Sequence, residues 1–358
     1  MPRKPRTAAV VGGGIGGLAT ALSLRSSGWS VDVFERAGRL PTAGTGIGLW
    51  PAALGALDTL GVGARARSLS RPQTAGAFLR PDGGRIATLD VAALERRTGD
   101  VVRLVSRPDL LALLYGAAGE GAVTFGACIG DIRTLDGSYD VVIAADGLHS
   151  AARTALFGPR YRARYVGASS WRGTVDGATG SVTETWGEGL RFGVTPTSGD
   201  RTNWFACAVL PEGQRDPGRE AAALRGWFGH WHAGVRAVLD RLTEAEVLRL
   251  DLYYLDPPLP AYVKGRTVLI GDAAHAMTPD LGRGACEALV DGVELARALA
   301  ATPDVPAALW EYDRARRPAT QRLVRAARLM NRMAHARRLT GLRNAAMRAA
   351  LAVGGPPG

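Results

Sequence analysis

The sequence predicts an α/β protein: a Rossmann-type dinucleotide-binding domain interrupted by an antiparallel-sheet substrate domain, with a C-terminal helix. Three observations predict it. The chain opens on a strand-helix-strand pattern with a glycine fingerprint. Two later buried-strand patterns each end in an acid and glycines. Between those two lies a stretch that alternates apolar and polar residues in short runs. The expected division is 1–70, 98–165 and 252–318 for the discontinuous nucleotide domain, 71–97 and 166–251 for the substrate domain, and 319–358 for an Arg-rich C-terminal helix and tail.

Ala8 to Val11 is an apolar strand that runs into Gly12-x-Gly14-x-x-Gly17. Leu18, Ala21, Leu22 and Arg25 follow at helical spacing, Gly28 ends that helix, and Val31 and Val33 alternate with Asp32 and Phe34 in a second strand that stops at Glu35. In such a unit Gly12 makes the tight turn, Gly14 lets backbone approach a pyrophosphate, and Gly17 lets helix and strand pack closely. Free N–H groups and the positive dipole end at the helix start favour the phosphates. Glu35 is placed to accept both hydroxyls of an adenosine ribose. The pattern does not separate FAD from NAD, because both present the same ADP half.

Composition bounds the rest. A chain of 358 residues with 46% hydrophobic content can build two domains with substantial cores. Cys128, Cys207 and Cys286 are far apart and odd in number, which points to neither a disulfide framework nor a zinc site and fits a reducing cytoplasm. The basic MPRKPR start is expected not to be a secretory signal, since a nucleotide fold follows at once, and no run is apolar and long enough to span a bilayer. The net charge of +11 is almost entirely arginine. Arg314, Arg316, Arg317, Arg322, Arg325, Arg328, Arg332, Arg337, Arg338, Arg343 and Arg348, interleaved with Leu323, Ala327, Met330 and Ala334, read as the wet face of one long helix and not as a nucleic-acid platform.

Along the chain, residues 39–61 are expected to form a Gly-rich loop and then a helix, with Gly44, Gly46 and Gly48 small enough to pass a flat ligand. AGAFLR and RIATLD flank Pro-Asp-Gly-Gly and predict a hairpin added to the main fold. Ser106-Arg107-Pro108-Asp109 opens a helix, VTFGACI follows, and Tyr139 to Ala145 is a buried strand that ends in Asp146-Gly147. SVTETW, LRFGVTP and NWFACAVL predict antiparallel strands, with Thr197 to Asp200 as a hairpin turn between the last two. Five of the eight tryptophans fall in this section, most of them core and one or two available to wall an apolar pocket. His230 and His232 lack a third ligand cluster, so no metal site is expected. Thr267 to Ile270 is a second buried strand, followed by Gly271-Asp272-Ala273-Ala274-His275 and a glycine loop, Gly282-Arg283-Gly284, before another helix.

Taken together, GGGIGG with Glu35-Arg36, ADGLHSAAR and GDAAHAMTP resemble the single-component FAD-dependent aromatic hydroxylases, the flavoprotein monooxygenases related to p-hydroxybenzoate hydroxylase. The likeness covers nearly the whole chain. It implies FAD bound by Gly12, Gly14, Gly16, Gly17, Glu35, Arg36 and Ile129, with Gly48 and Arg107 on the flavin side. It also implies Asp146 near flavin and nicotinamide, Asp272 on the ribityl chain, and Gly282, Gly284, Ala285 and Cys286 along the ring. By the same resemblance NAD(P)H is a transient co-substrate without its own Rossmann domain, and O2 is activated as a flavin C4a-hydroperoxide that hydroxylates or epoxidises an aromatic or heteroaromatic small molecule. The implied protein is cytoplasmic, a monomer or homodimer, without nucleic-acid or membrane partners.

GRIATLDVAALERRTGDVVRLVSRPDLL, TPDLGRGACEAL and LYYLDPPLP lean towards the branch that includes urate hydroxylase. Arg191 matches a substrate-side arginine of that branch, whereas Asn203 stands where it has a tyrosine. Arg283 replaces the glutamine many relatives carry between the two glycines. Arg191 and Arg283 are therefore the candidate catalytic residues, with a surface or salt-bridge residue of the sheet as the alternative for Arg191 and a solvent-facing side chain for Arg283. An FAD-dependent reductase or dehydrogenase of a small apolar substrate is the alternative function, and a non-enzymatic Arg-rich binding protein a more remote one.

Overall fold

The protein is described by a computed structural model that covers residues 5–119 and 121–354; the first four residues of the basic start and the Gly-Pro end lie outside the described residues. One sheet carries β1 (Thr7–Val11), β2 (Ser30–Glu35), β8 (Val123–Phe125), β9 (Val141–Ala144), β15 (Val263–Lys264) and β16 (Thr267–Leu269), in the order β15-β16-β9-β1-β2-β8. All neighbours are parallel except β15 with β16. β1 and β9 are buried on both faces, which is why they read as continuous apolar runs. Helix α1 (Ile15–Ser26) packs on α10 (Gly284–Ala301), where a Cβ on Gly292 would stand 2.8 Å from the Thr20 backbone nitrogen. Helix α5 (Arg107–Ala118) opens with the Ser106 hydroxyl accepting the Asp109 N–H.

The Gly-rich loop is more ordered than the sequence predicts. Gly46–Leu49 is a strand, β3, and with β4 (Arg71–Pro72) and β7 (Arg103–Ser106) it makes a small antiparallel sheet, β3-β7-β4. Its partners lie far off in sequence, so no local pattern marks it. Helices α2 (Pro51–Thr59) and α3 (Gly63–Leu69) follow β3.

The second large sheet has the order β14-β10-β13-β12-β11-β5-β6. It joins the predicted hairpin, β5 (Gly76–Leu79) and β6 (Arg85–Leu89), to β10 (Arg162–Asp176), β11 (Val182–Trp186), β12 (Leu190–Thr197), β13 (Arg201–Ala208) and β14 (Leu248–Asp256). The sheet is antiparallel apart from the β5–β11 pair, which is parallel, and β14 continues beyond residue 251 to Asp256. Gly199 and Asp200 take positive φ at the β12–β13 turn. One face packs Trp171, Phe192 and Trp204 against α7 (Glu220–Phe228) and α8 (Ala233–Leu239). By the two-residue period of a strand, Arg172, Glu184, Arg191, Thr195, Asn203, Phe205 and Cys207 share the opposite face, towards the nucleotide domain. His232 bonds the Thr185 hydroxyl at 2.9 Å, and no cluster of three or more metal-ligating side chains occurs among the described residues.

The remaining helices are α4 (Val91–Thr98), α6 (Ala151–Phe157), the short α9 (Asp272–His275), α11 (Val305–Ala334) and α12 (Thr340–Gly354). The C-terminal part is thus two helices, not one, and the first begins well before residue 319. Nor are its arginines all on a wet face. Arg316 is buried on Glu287 and Asp291, each at 2.7 Å, and Arg343 donates to the Gly187 carbonyl at 2.8 Å. Among the described residues no helix is long and apolar enough to cross a membrane.

Candidate active site

The first turn has the geometry its glycines predict. Gly12 takes φ +113, a Cβ on Gly17 would overlap the Gly12 carbonyl oxygen, and a Cβ on Gly14 would meet no heavy atom within 4 Å. Gly14 therefore leaves the N-terminus of α1 bare. At the end of β2 the Glu35 carboxylate accepts the Gly13 N–H at 2.7 Å and the Ala37 N–H at 2.8 Å, one on each oxygen. Each oxygen keeps acceptor capacity beyond that bond. Arg36 is exposed.

A cavity of about 690 Å³ starts at this turn and runs between the two large sheets. Gly14 and Gly16 line one end; Gly46, Gly48, Arg107, Asp272, Gly282, Gly284 and Ala285 line the middle. Gly282 has φ +61 where the backbone turns into α10, whose first residues, Gly284 and Ala285, line this space. Asp272 is open to the cavity yet encircled by protein. Desolvation raises its carboxyl above the ordinary aspartate value, with His275, Arg153 and Arg107 pulling it back. Bare helix starts, a ribose-competent acid and a glycine-lined slot between them fit FAD, and this fit rests on the shape and donors of the cavity itself.

Other predicted residues stand behind the wall and not in it. Gly12 and Gly17 shape the turn. Ile129 is half-buried against the core beyond β8 and, like Glu35, does not line this cavity. Asp146 turns its carboxylate to the start of α6, accepting the Ala152 N–H at 3.0 Å, while Ala145 and Gly147 line the cavity in its place. The Cys286 side chain is fully buried, and its thiol donates to the Gly48 carbonyl at 3.2 Å, so it anchors the facing loop.

Arg283 faces neither cavity nor solvent. It is 7% exposed, its guanidinium pairs with Glu287 at 3.0 Å and lies 5.4 Å from the centre of the Trp50 ring, and it does not line the cavity. Held between Glu287 and the cavity-lining Trp50, the side chain is not the solvent-facing one that the sequence left open as the alternative.

On the sheet side, Arg191 lines the cavity but is already neutralised. It is 3% exposed, donates to Glu184 at 2.6 and 3.0 Å, and pairs with Asp280. Arg191 is thus at once a cavity-lining residue and one ion-paired to the neighbouring strand and to the loop before α10. Asp280 also accepts from Asn331 of α11 at 3.1 Å, and His335 one turn on is pulled down to about 4, first by burial and then by the Arg191 charge, with Asp280 opposing. Asn203 Oδ1 accepts the Gly46 N–H at 2.9 Å, tying the substrate sheet to the loop on the flavin side. Arg172, Glu184 and Phe205 also line the cavity and were not marked by any sequence motif. Strand alternation within β10, β11 and β13 was the one signal that could have grouped them.

Fold and cavity together define a dinucleotide flavoprotein with one nucleotide fingerprint and an inserted substrate sheet. Residues 107–327 match the FAD binding domain family, and residues 10–45 match the NAD(P)-binding Rossmann-like domain. The chain is 35% identical over 326 residues to aurachin C monooxygenase/isomerase of Stigmatella aurantiaca, covering 87% of this chain and 85% of that one. It is 33% identical over 340 residues to FAD-dependent urate hydroxylase of Klebsiella pneumoniae, covering 90% and 88%. The structure of Klebsiella pneumoniae HpxO complexed with FAD and uric acid superposes with a TM-score of 0.87 at 31% identity, over 96% of this chain and 93% of that one. The chain belongs to the FAD-dependent monooxygenases of the aromatic-hydroxylase type, in the urate hydroxylase-like branch. FAD is its cofactor and NAD(P)H its reductant.

Proposed function

We propose that this monooxygenase hydroxylates an aromatic or heteroaromatic small molecule whose ring lies between the Gly282–Ala285 loop and the cavity face of the substrate sheet. The observation that carries the reading is the single cavity that joins the nucleotide turn at Gly14 to Phe205 on β13. Relatives that act on urate and on aurachin C share the architecture, and a fused ring is the substrate shape we favour.

FAD, when bound, supplies the acceptance of electrons from NAD(P)H and the activation of O2. The chain's own residues bind and orient. Backbone N–H groups at the start of α1 receive the pyrophosphate, and Glu35 takes the ribose hydroxyls. Asp272 and Arg107 hold the middle of the cofactor. The first N–H groups of α10 favour negative charge at the ring edge. Asn203, through Gly46, fixes the loop opposite, and the apolar wall of Leu89, Val91, Leu94 and Leu104 excludes water.

The test is direct. The purified protein is expected to be yellow, with flavin absorption bands, and to consume O2 with NAD(P)H faster in the presence of hydroxylated or fused-ring aromatics from a panel. NAD(P)H oxidation that reduces the organic substrate with no O2 incorporated would move the protein to the reductase class.

A further inference from the structure

Two arginines stand on the cavity face of the substrate sheet in opposite electrostatic states. Arg191 is enclosed by Glu184 and Asp280 and has no charge left to offer a ligand. Arg172 on β10 donates its Nε to the Ser170 hydroxyl at 3.2 Å, and its two Nη groups have no protein acceptor among the described residues. No carboxylate among those residues lies within ion-pairing distance of it. Its side chain is partly open, and the opening is to the cavity. Burial lowers its pKa, Cys207 and Asp280 offset this in part, and Arg191 adds to it. A guanidinium nonetheless stays charged. It is a desolvated cation whose counter-charge is missing.

Its neighbours give the site a shape. In register across the strands, Arg172 stands opposite Phe205, Phe205 opposite Gly193, and Gly193 opposite Glu184. The Phe205 ring occupies the place a Cβ on Gly193 would need, so it lies over the glycine as a plate. The row thus runs from a free cation past an aromatic surface to the Glu184 carboxylate, already paired with Arg191, whose guanidinium lies 5.6 Å from the centre of the Phe205 ring, across three strand spacings of about 4.8 Å each. An aromatic plate beside an unpaired guanidinium suits a ring that carries an anionic oxygen.

Resting on the monooxygenase reading above, we infer that Arg172 is the substrate-recognition residue and binds an anionic oxygen borne by the substrate's ring, with the ring along Phe205. The cation that selects substrate is then Arg172 and not Arg191.

The experiment is calorimetric titration of the FAD-loaded protein with two matched probe pairs: benzoate against benzamide, and 4-cyanophenolate, above its pKa, against 4-methoxybenzonitrile. Wild type is expected to bind the anionic member of at least one pair tenfold or more tighter than its neutral partner. Arg172→Gln should weaken that binding by roughly ten- to a hundredfold, as loss of a charge-assisted hydrogen bond does. It should leave the neutral probe and the FAD content unchanged. Arg172→Lys, which keeps the charge without the fork of donors, should fall between, and it decides by the same criterion if the glutamine variant does not fold. Equal binding of anionic and neutral members, no binding of any probe, or an anion preference that survives in the folded variants overturns the assignment. A colourless wild-type protein would instead overturn the flavoprotein reading, so the two failures are distinguishable.

Discussion

The two walls of the cavity are made of different material. On the nucleotide side the contact surface is backbone and glycine: Gly14, Gly16, Gly46, Gly48, Gly282 and Gly284. On the substrate side it is side chains, and their charges are partly spent on one another, as Arg191, Glu184 and Asp280 are. A backbone wall accepts one invariant ligand part, a diphosphate or a flat ring, and a side chain added at Gly14 or Gly48 would enter the space that part needs. A side-chain wall can be rewritten one position at a time, and what each residue does depends on whether a neighbour has already neutralised it.

Substitutions can break or sharpen this contrast. The largest effect is expected from Arg191→Met, which strands Glu184 and Asp280 in the interior. Losing one partner of a buried ion pair costs roughly 3–5 kcal/mol, to be read by urea unfolding. A stability loss below about 1 kcal/mol would show that the trio is not a unit. On the other wall, Glu35→Ala should loosen the turn by removing the bonds to the Gly13 and Ala37 N–H groups, and weaken FAD by roughly 1.5–3 kcal/mol, or about ten- to a hundredfold, in an equilibrium FAD titration. Full FAD retention would remove Glu35 from the ribose.

A smaller effect concerns His335, which joins α11 to the Arg191 group. Its pKa is lower folded, about 4, than the ordinary 6.5, so between those values the unfolded chain binds more protons and stability must fall as pH falls. The His335 share is on the order of 1–3 kcal/mol, present above pH 6.5 and lost towards pH 4. His335→Gln should flatten that part of the stability profile; an unchanged slope would place the acid sensitivity elsewhere. The smallest effect is expected from Arg283→Gln. Because the side chain lies under α10, the flavin potential should move by less than roughly 20 mV, equivalent to about 1 kcal/mol for a two-electron couple. A larger fall in a redox titration would mean that the guanidinium acts on the ring after all.

The same contrast explains what was legible in the sequence. Gly12, Gly14 and Gly17, the acid at the end of β2, the Ser106 cap and the Pro-Asp-Gly-Gly hairpin are local patterns with one physical solution each, and all were readable. β3, with its partners β4 and β7, and the parallel β5–β11 pair depend on distant segments, and no local periodicity encodes them. Arg172 and Arg191 are alike as letters. Only the positions of Glu184 and Asp280 make one spent and the other free. Arg316 and Arg343 fit the polar stripe of a helix, yet tertiary partners bury both, and the burial of Arg283 on Glu287 and Trp50 likewise depends on a segment far off in sequence.

The interleaving of the two sheets also governs how the chain can be made. β1 and β2 leave the ribosome early, but β9, which closes the other side of β1, follows only after residue 140, and β16 and α10 only near the end. The β5–β6 hairpin likewise waits for β11, which comes about a hundred residues later, a separation that slows closure. Through most of synthesis the nascent protein therefore carries open strand edges that invite pairing with other chains. A gene cut at either sheet's border would leave such an edge permanently, so exchanging the substrate sheet between relatives requires transplanting residues around β5–β6 and around β10–β14 together.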